Sequence, residues 1–380
     1  MDYPYIVFYF LLTVMAYFNW KKPNQKIVKW SLVMTFLFIA LRAPVVGADT
    51  WDYVRFLTGE KNYYNNDVRE LESGFLVYRN IISSITSSRL IVMIVNSIFT
   101  LIPLLFLMKK FSYNVPLSIL LFFYLGGLTH YCVSLRQCIS FSIIILGLII
   151  IMNTKYSITK KIFIGMGIVF VSYNMHSTSI LYAFILLCSF LLPELKKSTY
   201  IVLIITSATI GIVMKSFDMF NAFNFFLSVT TVPYERVSDY MLNDEIYERT
   251  ITVLLRPSIL FLIFILFITS DKLSHPFCKI SLMGCVIYNL FSYFPMIDRV
   301  CMPFFLFLCI GLTWIFNIEY YKYAKIRLYT NIIVVLIVAY FSRSIIIDNI
   351  SYDSSSLARM HPYYFHFQYY MDHPSIKFNR

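Results

Sequence analysis

The sequence has few charged residues and few residues that break helices. Asp, Glu, Lys and Arg make up 14% of its 380 residues, and it contains only 11 glycines and 13 prolines. Soluble domains carry about 25% charged residues and bury their apolar residues in periodic stripes. Here 59% of the residues are apolar, and they occur in uninterrupted runs. The composition therefore excludes an ordinary soluble domain.

Motifs of several common chemistries are also missing. The sequence has no P-loop, no G-x-G-x-x-G, no H-E-x-x-H, no G-x-S-x-G and no D-x-D pair, and Asp49 and Asp52 are at best a loose substitute for the last. We expect neither a bound metal nor an organic cofactor. The seven cysteines form no C-x-x-C pair and lie mostly in apolar runs, which favours buried thiols over disulfides or metal ligands.

The apolar runs predict an all-α polytopic membrane protein with about twelve transmembrane helices, although eleven to fourteen are compatible with the sequence. About 20 apolar residues cross the roughly 30 Å hydrocarbon core as a helix. No internal repeat is evident, so we predict a single transmembrane domain over residues 1–380. The predicted spans are 3–20, 27–43, 90–108, 114–130, 134–152, 162–175, 177–192, 199–214, 254–270, 276–294, 300–317 and 328–347.

Basic residues cluster in every second connection, which predicts the orientation. Short loops rich in Lys and Arg lie on the cytoplasmic side. Both termini, the long loops 44–89 and 215–253 and the tail 348–380 are then expected outside, on the side away from the cytoplasm. The formal net charge of +12 follows from the basic inner loops, and we expect no nucleic-acid partner.

The two basic residue types separate between the sides. The inner connections contain lysines and a single arginine, Arg327, whereas the outer side has only three lysines, Lys61, Lys215 and Lys377. Arginine grips carboxylate or phosphate with two parallel hydrogen bonds, so the outer face is suited to hold an anion. Codon usage that enriches lysine, with surface arginines paired to outer acids, is the alternative.

Charged residues adjoin the predicted outer ends of several spans. Ionisable groups at membrane depth are costly and usually face a cavity or a partner. Arginines at helix ends also extend towards lipid head groups without any further role. Because five such residues adjoin four different spans and lie on one side, they suggest a shared site. They are Arg42, Arg136, Arg256, Asp298 and Arg299.

His176 is the sharpest single candidate. Lys161 and Lys196 are both predicted inside, so each intervening leg has about 17 residues, or roughly 25 Å of helix. The turn around His176 should therefore lie slightly below the outer surface, where a histidine can act as a general base or bind substrate. A hydrogen bond between helices is the alternative role. His130 is a similar but weaker candidate.

The outer loops contain further candidates. Asp49 or Thr50 is expected to cap a short interfacial helix that starts near Thr50. In the second loop, the mixed charged and aromatic stretch 234–249 predicts an amphipathic helix carrying Arg236 and Arg249. Tyrosines there and in the tail can stack on sugars, although an aromatic belt at the membrane surface is the commoner use.

In these segments the chain resembles the EpsG family of exopolysaccharide polymerases, which overlaps with the Wzy O-antigen polymerases. The resemblance covers roughly residues 35–300. It rests on ordered short motifs: Arg42 with Gly47-Ala-Asp49-Thr50, Tyr53 and Phe56, then Glu72-Ser-Gly74-Phe75, Leu135-Arg136-Gln137, His176-Ser177 and Asp298-Arg299.

The resemblance implies a GT-C-like fold and a reaction at the outer face of the plasma membrane. A glycan chain on undecaprenyl pyrophosphate is transferred to a new lipid-linked repeat unit, in the synthesis of O-antigen, capsule or exopolysaccharide. His176 is the first candidate for the base and Asp49 the second. Inversion at the anomeric carbon and independence from metals are expected, with a flippase and a chain-length regulator as partners in the same pathway. Substrate contacts are expected from Arg42, Arg136, Arg256, Arg299, Asp298, His130, Thr50, Arg236 and Arg249.

Two other function classes remain open. Another glycosyltransferase or ligase with a polyprenyl donor would use the same lipid and a different acceptor. A transporter or flippase for lipid-linked glycans is compatible with twelve spans, although matched inverted halves, which many carriers show, are not evident.

Overall fold

The computed structural model describes residues 3–21, 23–47, 49–60, 71–152, 156–216, 251–267, 276–292, 297–316 and 363–372. Within these residues the regular secondary structure is helical, and the only β-type pairing there is an isolated bridge between Arg42 and Phe365. The predicted all-α class is confirmed for this part of the chain. The last predicted span, 328–347, and the amphipathic stretch 234–249 lie outside it.

The helices follow the apolar runs and are numbered here in chain order. They are α1 Tyr3–Lys21, α2 Gln25–Ala40, α3 Thr50–Leu57, α4 Ser73–Ile85, α5 Arg89–Phe111, α6 Val115–Tyr124, α7 Gly127–Val133, α8 Leu135–Ile151, α9 Ile158–Met175, α10 Ser179–Phe190, α11 Lys197–Ser216, α12 Ile251–Phe267, α13 Pro276–Leu290, α14 Ile297–Thr313 and α15 His366–Asp372, with a 3₁₀ turn at Trp314–Phe316.

Among the described helices, only α5 is by itself both long and apolar enough to cross a membrane, and α6 with α7 qualifies as a bent pair. Shorter apolar helices of 10–17 residues make up much of the rest. The number of twelve spans and the GT-C-like arrangement therefore remain predictions.

The segment 114–130 is not the single straight span that hydropathy predicts. α6 ends at Tyr124, and α7 leaves it at an angle of 72°. Gly126 makes this break possible, since its φ of 99° lies in the left-handed region that glycine adopts at helix ends. The bend brings the side chains of α7 into the interior, where His130 is buried.

The core lies around α6 and α14. Every residue of α6 is buried, as is every residue from Cys301 to Thr313 of α14, so both helices are apolar on all sides. All seven cysteines are buried free thiols, which confirms their expected burial. At the periphery, α9 buries only Gly165 and Ser172 and exposes most of its large apolar side chains.

Glycines bring the later helices into close contact. A Cβ on Gly211 of α11 would collide with the carbonyl oxygen of Asn289 in α13, and one on Gly284 would collide with Phe304 of α14. At Gly311 a Cβ would lie 2.6 Å from the Phe264 ring of α12. Small residues at these crossings allow the helix backbones to approach closely, as in other membrane bundles.

Polar contacts group the connections at two opposite ends, which α5 joins. Residues of the predicted inner connections meet at the Phe111 end, and those of the predicted outer connections meet at the Arg89 end. At the first end the hydrogen bonds are Asn114 Nδ2 to Ala16 O at 2.9 Å, Tyr113 N to Thr313 Oγ1 at 3.0 Å, Trp314 Nε1 to Phe111 O at 2.7 Å and Lys279 Nζ to Leu192 O at 2.7 Å. Which end faces the cytoplasm remains a prediction.

Candidate active site

Arg42 ties the turn between α2 and α3 to the backbone of α7. The side chain is 4% exposed, although charged side chains are rarely buried without partners. Its guanidinium donates to three carbonyl oxygens and one hydroxyl: Ile39 O at 2.7 Å, Val46 O at 3.4 Å, Cys132 O at 3.2 Å and Thr50 Oγ1 at 3.5 Å. Thr50, also buried, donates its hydroxyl to Cys132 O. The side chains of Arg42 and Thr50, both predicted to contact substrate, thus bind groups within the protein.

The tail packs against the same turn. Ala43 N donates to Tyr364 O and His366 N donates to Leu41 O, both at 2.8 Å. Tyr363 is buried and stacks on Phe38 with ring centroids 4.5 Å apart. The ring of Tyr363 is therefore packed inside the protein and is not available to stack on a sugar.

Arg136, the second residue of α8, joins three elements. Its Nη1 lies 2.7 Å from Glu72 Oε2 just before α4, and its Nε donates to the Tyr53 hydroxyl of α3 at 3.1 Å. The guanidinium also lies over the rings of Tyr53 and Phe75, 5.6 and 5.7 Å from their centroids. Such planar, forked and stacked contacts suit arginine and not lysine.

Glu72 extends the cluster to the turn between α9 and α10. Its Oε1 accepts the backbone N–H of Ser177 at 3.0 Å. The neighbouring Ser73 donates its hydroxyl to Asn174 Oδ1 at 2.9 Å. A Cβ on Gly74 would lie 2.7 Å from Asn174 O, so only glycine permits this approach of the helices. The start of α4 is thereby fixed against the His176 turn.

Glu72 remains ionised in this setting. Burial would raise the pKa of its carboxyl, but the Arg136 charge and the Ser177 N–H hold the pKa below its ordinary value. Burial raises the pKa of Tyr53, and the nearby Arg136 only partly opposes this. At neutral pH the cluster therefore contains a carboxylate, a guanidinium and a protonated phenol.

His176 lies in the predicted turn and caps the C-terminus of α9. Its Nδ1 accepts the backbone N–H of Thr178 at 3.2 Å and lies 2.9 Å from the Thr178 hydroxyl. Burial, together with the Arg136 charge, lowers the pKa of His176 to about 4, although Glu72 opposes the shift. The ring is therefore neutral at physiological pH. Because a backbone N–H can only donate, Nδ1 is the bare nitrogen and Nε2 carries the proton.

His130 and Arg299 connect the late helix α14 to this cluster. His130 is 4% exposed and lies within electrostatic reach of Arg299 and His176. Neither ring nitrogen of His130 has a hydrogen-bond partner among the described residues. The same holds for three buried polar atoms near His130, Arg136 and His176 in sequence: Ser134 Oγ, Gln137 Oε1 and Ser179 Oγ. Buried polar groups normally have partners, so these atoms are suited to receive a polar ligand or water.

Asp49 and Asp298 border the cluster. Asp49 directly precedes α3 and is half-buried. Its side chain makes no hydrogen bond to the start of this helix, so the capping hydrogen bond predicted for Asp49 is not present. Its charge acts on Tyr53, which places it near Tyr53. Asp298 lies beside Arg299 in the first turn of α14, half-buried.

The remaining predicted residues are Arg256, Arg236 and Arg249. Arg256 lies near the start of α12, which packs against α11, α13 and α14. Arg236 and Arg249 fall outside the described residues. Within the described part of the chain, no group of three or more His, Cys, Asp or Glu side chains could hold a metal ion.

The predicted site omitted Glu72 and Tyr53, which are central to the observed cluster. Both belong to the short motifs that carry the family resemblance, and this was the available signal. A carboxylate in a hydrophilic loop and a tyrosine in an interfacial helix have ordinary roles when considered alone. Their importance follows from their contacts with Arg136, which join positions more than 60 residues apart.

A sequence model described as the EpsG family matches residues 27–363, nearly the whole chain. No curated protein and no solved structure matches it. The matched range contains the whole of the cluster formed by Tyr53, Glu72, Arg136, His176 and Arg299.

Proposed function

The chain belongs to the EpsG family, and on this premise we propose that it is a membrane polysaccharide polymerase. It transfers a glycan chain from undecaprenyl pyrophosphate to a newly delivered lipid-linked repeat unit at the outer face of the bacterial plasma membrane. The main support is the cluster of Arg136, Glu72 and His176, which draws α3, α4, α8 and the α9–α10 turn together at one end of the bundle.

The leaving group requires cations more than it requires a proton. A pyrophosphate carries two or three negative charges on departure, and fixed guanidinium groups stabilise such charge without a metal. We assign this role to Arg136 and Arg299, which flank His176 and His130. Arg42 holds the turn before α3 in place through contacts within the protein, so we do not assign it to the first contact with the pyrophosphate.

The attacking sugar hydroxyl requires a base, and Asp49 fits this role better than His176. Nδ1 of His176 is occupied by the Thr178 N–H, and Nε2 carries the proton, so the neutral ring donates a hydrogen bond. Asp49 is a half-buried carboxylate near Tyr53, whose hydroxyl accepts a hydrogen bond from Arg136. His176 is then a donor that orients a substrate oxygen, and His130 provides further ring nitrogens for the sugar.

The proposed step is a single displacement. The acceptor hydroxyl gives its proton to Asp49, and its oxygen bonds to the anomeric carbon of the donor glycan. The bond from that carbon to the pyrophosphate oxygen breaks, and its electron pair leaves with undecaprenyl pyrophosphate. One displacement inverts the configuration at the anomeric carbon. A flippase that delivers the repeat unit and a regulator of chain length are the partners that this step calls for.

The test uses purified full-length protein in lipid nanodiscs, supplied with lipid-linked repeat units and no nucleotide. Extension of the glycan, seen as a ladder on a gel, supports the polymerase. Transfer to another acceptor would identify a ligase, and translocation without extension would identify a transporter. Arg136→Ala should abolish the ladder, whereas Arg79→Ala should retain it, because Arg79 contacts Phe56 and Asn80 outside the cluster.

A further inference from the structure

An apolar groove separates α9 from α10. Its volume is about 580 Å³, and all its lining residues come from these two helices. Ile162 and Leu191 lie at one end, and Tyr173 and Ile180 at the other. The floor between them contains Gly165 and Ala183, whose small side chains make the groove deep.

The groove leads to the proposed active site. Tyr173 and Ile180 flank the turn that carries His176, and the Ser177 N–H in this turn is bound by Glu72. Glu72 in turn pairs with Arg136. A ligand that lies along the groove therefore has apolar surroundings over its length, and its end at the His176 turn is close to the cluster that contains Arg136.

We propose that this groove holds the polyprenyl chain of a lipid-linked glycan, with its phosphate end directed to the His176 turn. This inference rests on the proposed function and deepens it. From Ile162 to Tyr173 the helix rises about 17 Å, more than half of the roughly 30 Å hydrocarbon core. The groove thus accommodates part of a long isoprenoid, and the remainder extends into the bilayer.

Other occupants fit less well. A peptide would bury backbone N–H and C=O groups against a lining that offers no polar side chain besides the Tyr173 hydroxyl. An ordinary phospholipid fits the apolar lining but gains nothing specific from the anion-handling cluster at the end of the groove. A second apolar groove of about 370 Å³ lies between Met15, Trp30 and Phe365, and it ends near Leu41, beside the protein-bound Arg42.

The two glycines of α9 provide a matched pair of variants. Gly165 is buried in the groove, and a Cβ there would make ordinary contacts with Ile151 and Leu186, at 3.5 and 4.0 Å. Gly167 is exposed, and no atom lies within 4 Å of a Cβ built on it. Gly165→Leu therefore fills the groove, whereas Gly167→Leu adds the same side chain outside it. Ala183→Leu fills the groove from α10 should Gly165→Leu fail to fold.

The experiment is photolabelling of the full chain in nanodiscs of phosphatidylethanolamine and phosphatidylglycerol. The probe is undecaprenyl phosphate with a diazirine on its isoprenoid chain, and labelled peptides are mapped by mass spectrometry. We expect label in α9 and α10 that unlabelled undecaprenyl phosphate displaces. Labelling should fall about tenfold in Gly165→Leu or Ala183→Leu, equivalent to about 1.4 kcal/mol of binding, and stay unchanged in Gly167→Leu.

Three outcomes would overturn the proposal. They are equal displacement by phosphatidylglycerol, unchanged labelling of both filled variants, and label confined to the groove around Met15 and Trp30. Labelling requires no turnover, so it separates this proposal from the proposed function. Specific labelling of α9 and α10 by a protein that never extends a glycan would refute the polymerase and retain the polyprenyl site. Glycan extension without labelling of this groove would support the polymerase and refute the polyprenyl site.

Discussion

At the scale of single residues, Arg136 combines a salt bridge, a hydrogen bond to a phenol and stacking on two rings. Arg136→Lys keeps the positive charge but loses the planar guanidinium, which donates several hydrogen bonds at once and stacks on the two rings. We expect polymerisation to slow roughly 10- to 100-fold, since one hydrogen bond to a charged group contributes about 1.5–3 kcal/mol. Rates of glycan extension in nanodiscs measure this. Arg79→Lys serves as the control, and a wild-type rate for Arg136→Lys would remove Arg136 from the site.

The buried histidine of the same cluster predicts acid sensitivity. In the folded protein the pKa of His176 is about 4, while an unfolded histidine has a pKa of about 6.5. Between these values the unfolded chain binds a proton that the folded chain excludes, so stability is lost as pH falls from about 6.5 towards 4. The melting temperature of wild type should therefore drop more between pH 7.5 and pH 5 than that of His176→Asn.

Other acid-sensitive groups are common to both proteins in that comparison. Burial and the Arg89 charge lower the pKa of His366 as well, and His366 is present in both proteins. The stabilisation that Glu72 gains from its lowered pKa is lost only at lower pH, below its unfolded value of about 4.3. Identical drops in melting temperature would show that His176 titrates normally in the folded protein.

At the scale of elements, the contact between α4 and the α9–α10 turn depends on Gly74. In Gly74→Ala the new Cβ meets the Asn174 carbonyl, and the shift that follows loosens the Ser73 and Glu72 hydrogen bonds to the turn. We expect a loss of about 1–3 kcal/mol in stability, as for other overpacked sites. Activity should fall further, since His176 and Arg136 lose their common support.

The control for this change is Gly167→Ala in exposed helix α9. The new Cβ meets no atom within 4 Å. Replacing a glycine inside a helix by alanine generally stabilises the helix by roughly 0.5–1 kcal/mol. Thermal melting and glycan extension are compared for the two variants. Equal behaviour of Gly74→Ala and Gly167→Ala would mean that α4 does not position the turn.

The elements themselves were largely predictable, and the exceptions have a local cause. Apolar runs between basic loops locate most helices and also the His176 turn, because both features depend on nearby sequence alone. The break at Gly126 was missed, since the run 114–130 remains apolar through the bend and glycine is tolerated in membrane helices. Hydropathy reports the environment of a segment and does not report its direction.

The site was predictable in residue type and less so in geometry. Arg136 and Arg299 are selected because charge near a membrane is costly, and His176 because its turn is expected below the outer surface. The structure brings all three within electrostatic reach of His176 or His130. Arg42 meets the criterion of charge near the membrane and Thr50 belongs to the motif that follows Arg42, but their side chains bind backbone carbonyls of the protein. The direction of a side chain depends on long-range packing, which a single sequence does not specify.

At the scale of the whole molecule, the orientation can be tested by labelling of introduced cysteines. All seven native thiols are buried, so their background should be low. Ser87 lies in the exposed turn before α5 and is predicted outside, whereas the exposed Lys109 near the end of α5 is predicted inside. An impermeant maleimide should label Ser87→Cys in intact spheroplasts and Lys109→Cys only after permeabilisation. The opposite pattern would invert the predicted orientation.

The glycine contacts of the late helices have a mechanical consequence. At Gly211 the backbones of α11 and α13 touch, and at Gly284 and Gly311 a backbone lies against the side chain of Phe304 or Phe264, so α11 to α14 leave little free space for a displacement. α9 buries only Gly165 and Ser172 and leaves most of its large apolar side chains exposed, although its inner face packs closely against α8. A bulky molecule that approaches the bundle sideways from the bilayer therefore meets tightly packed helices at α11 to α14 and an exposed apolar surface at α9.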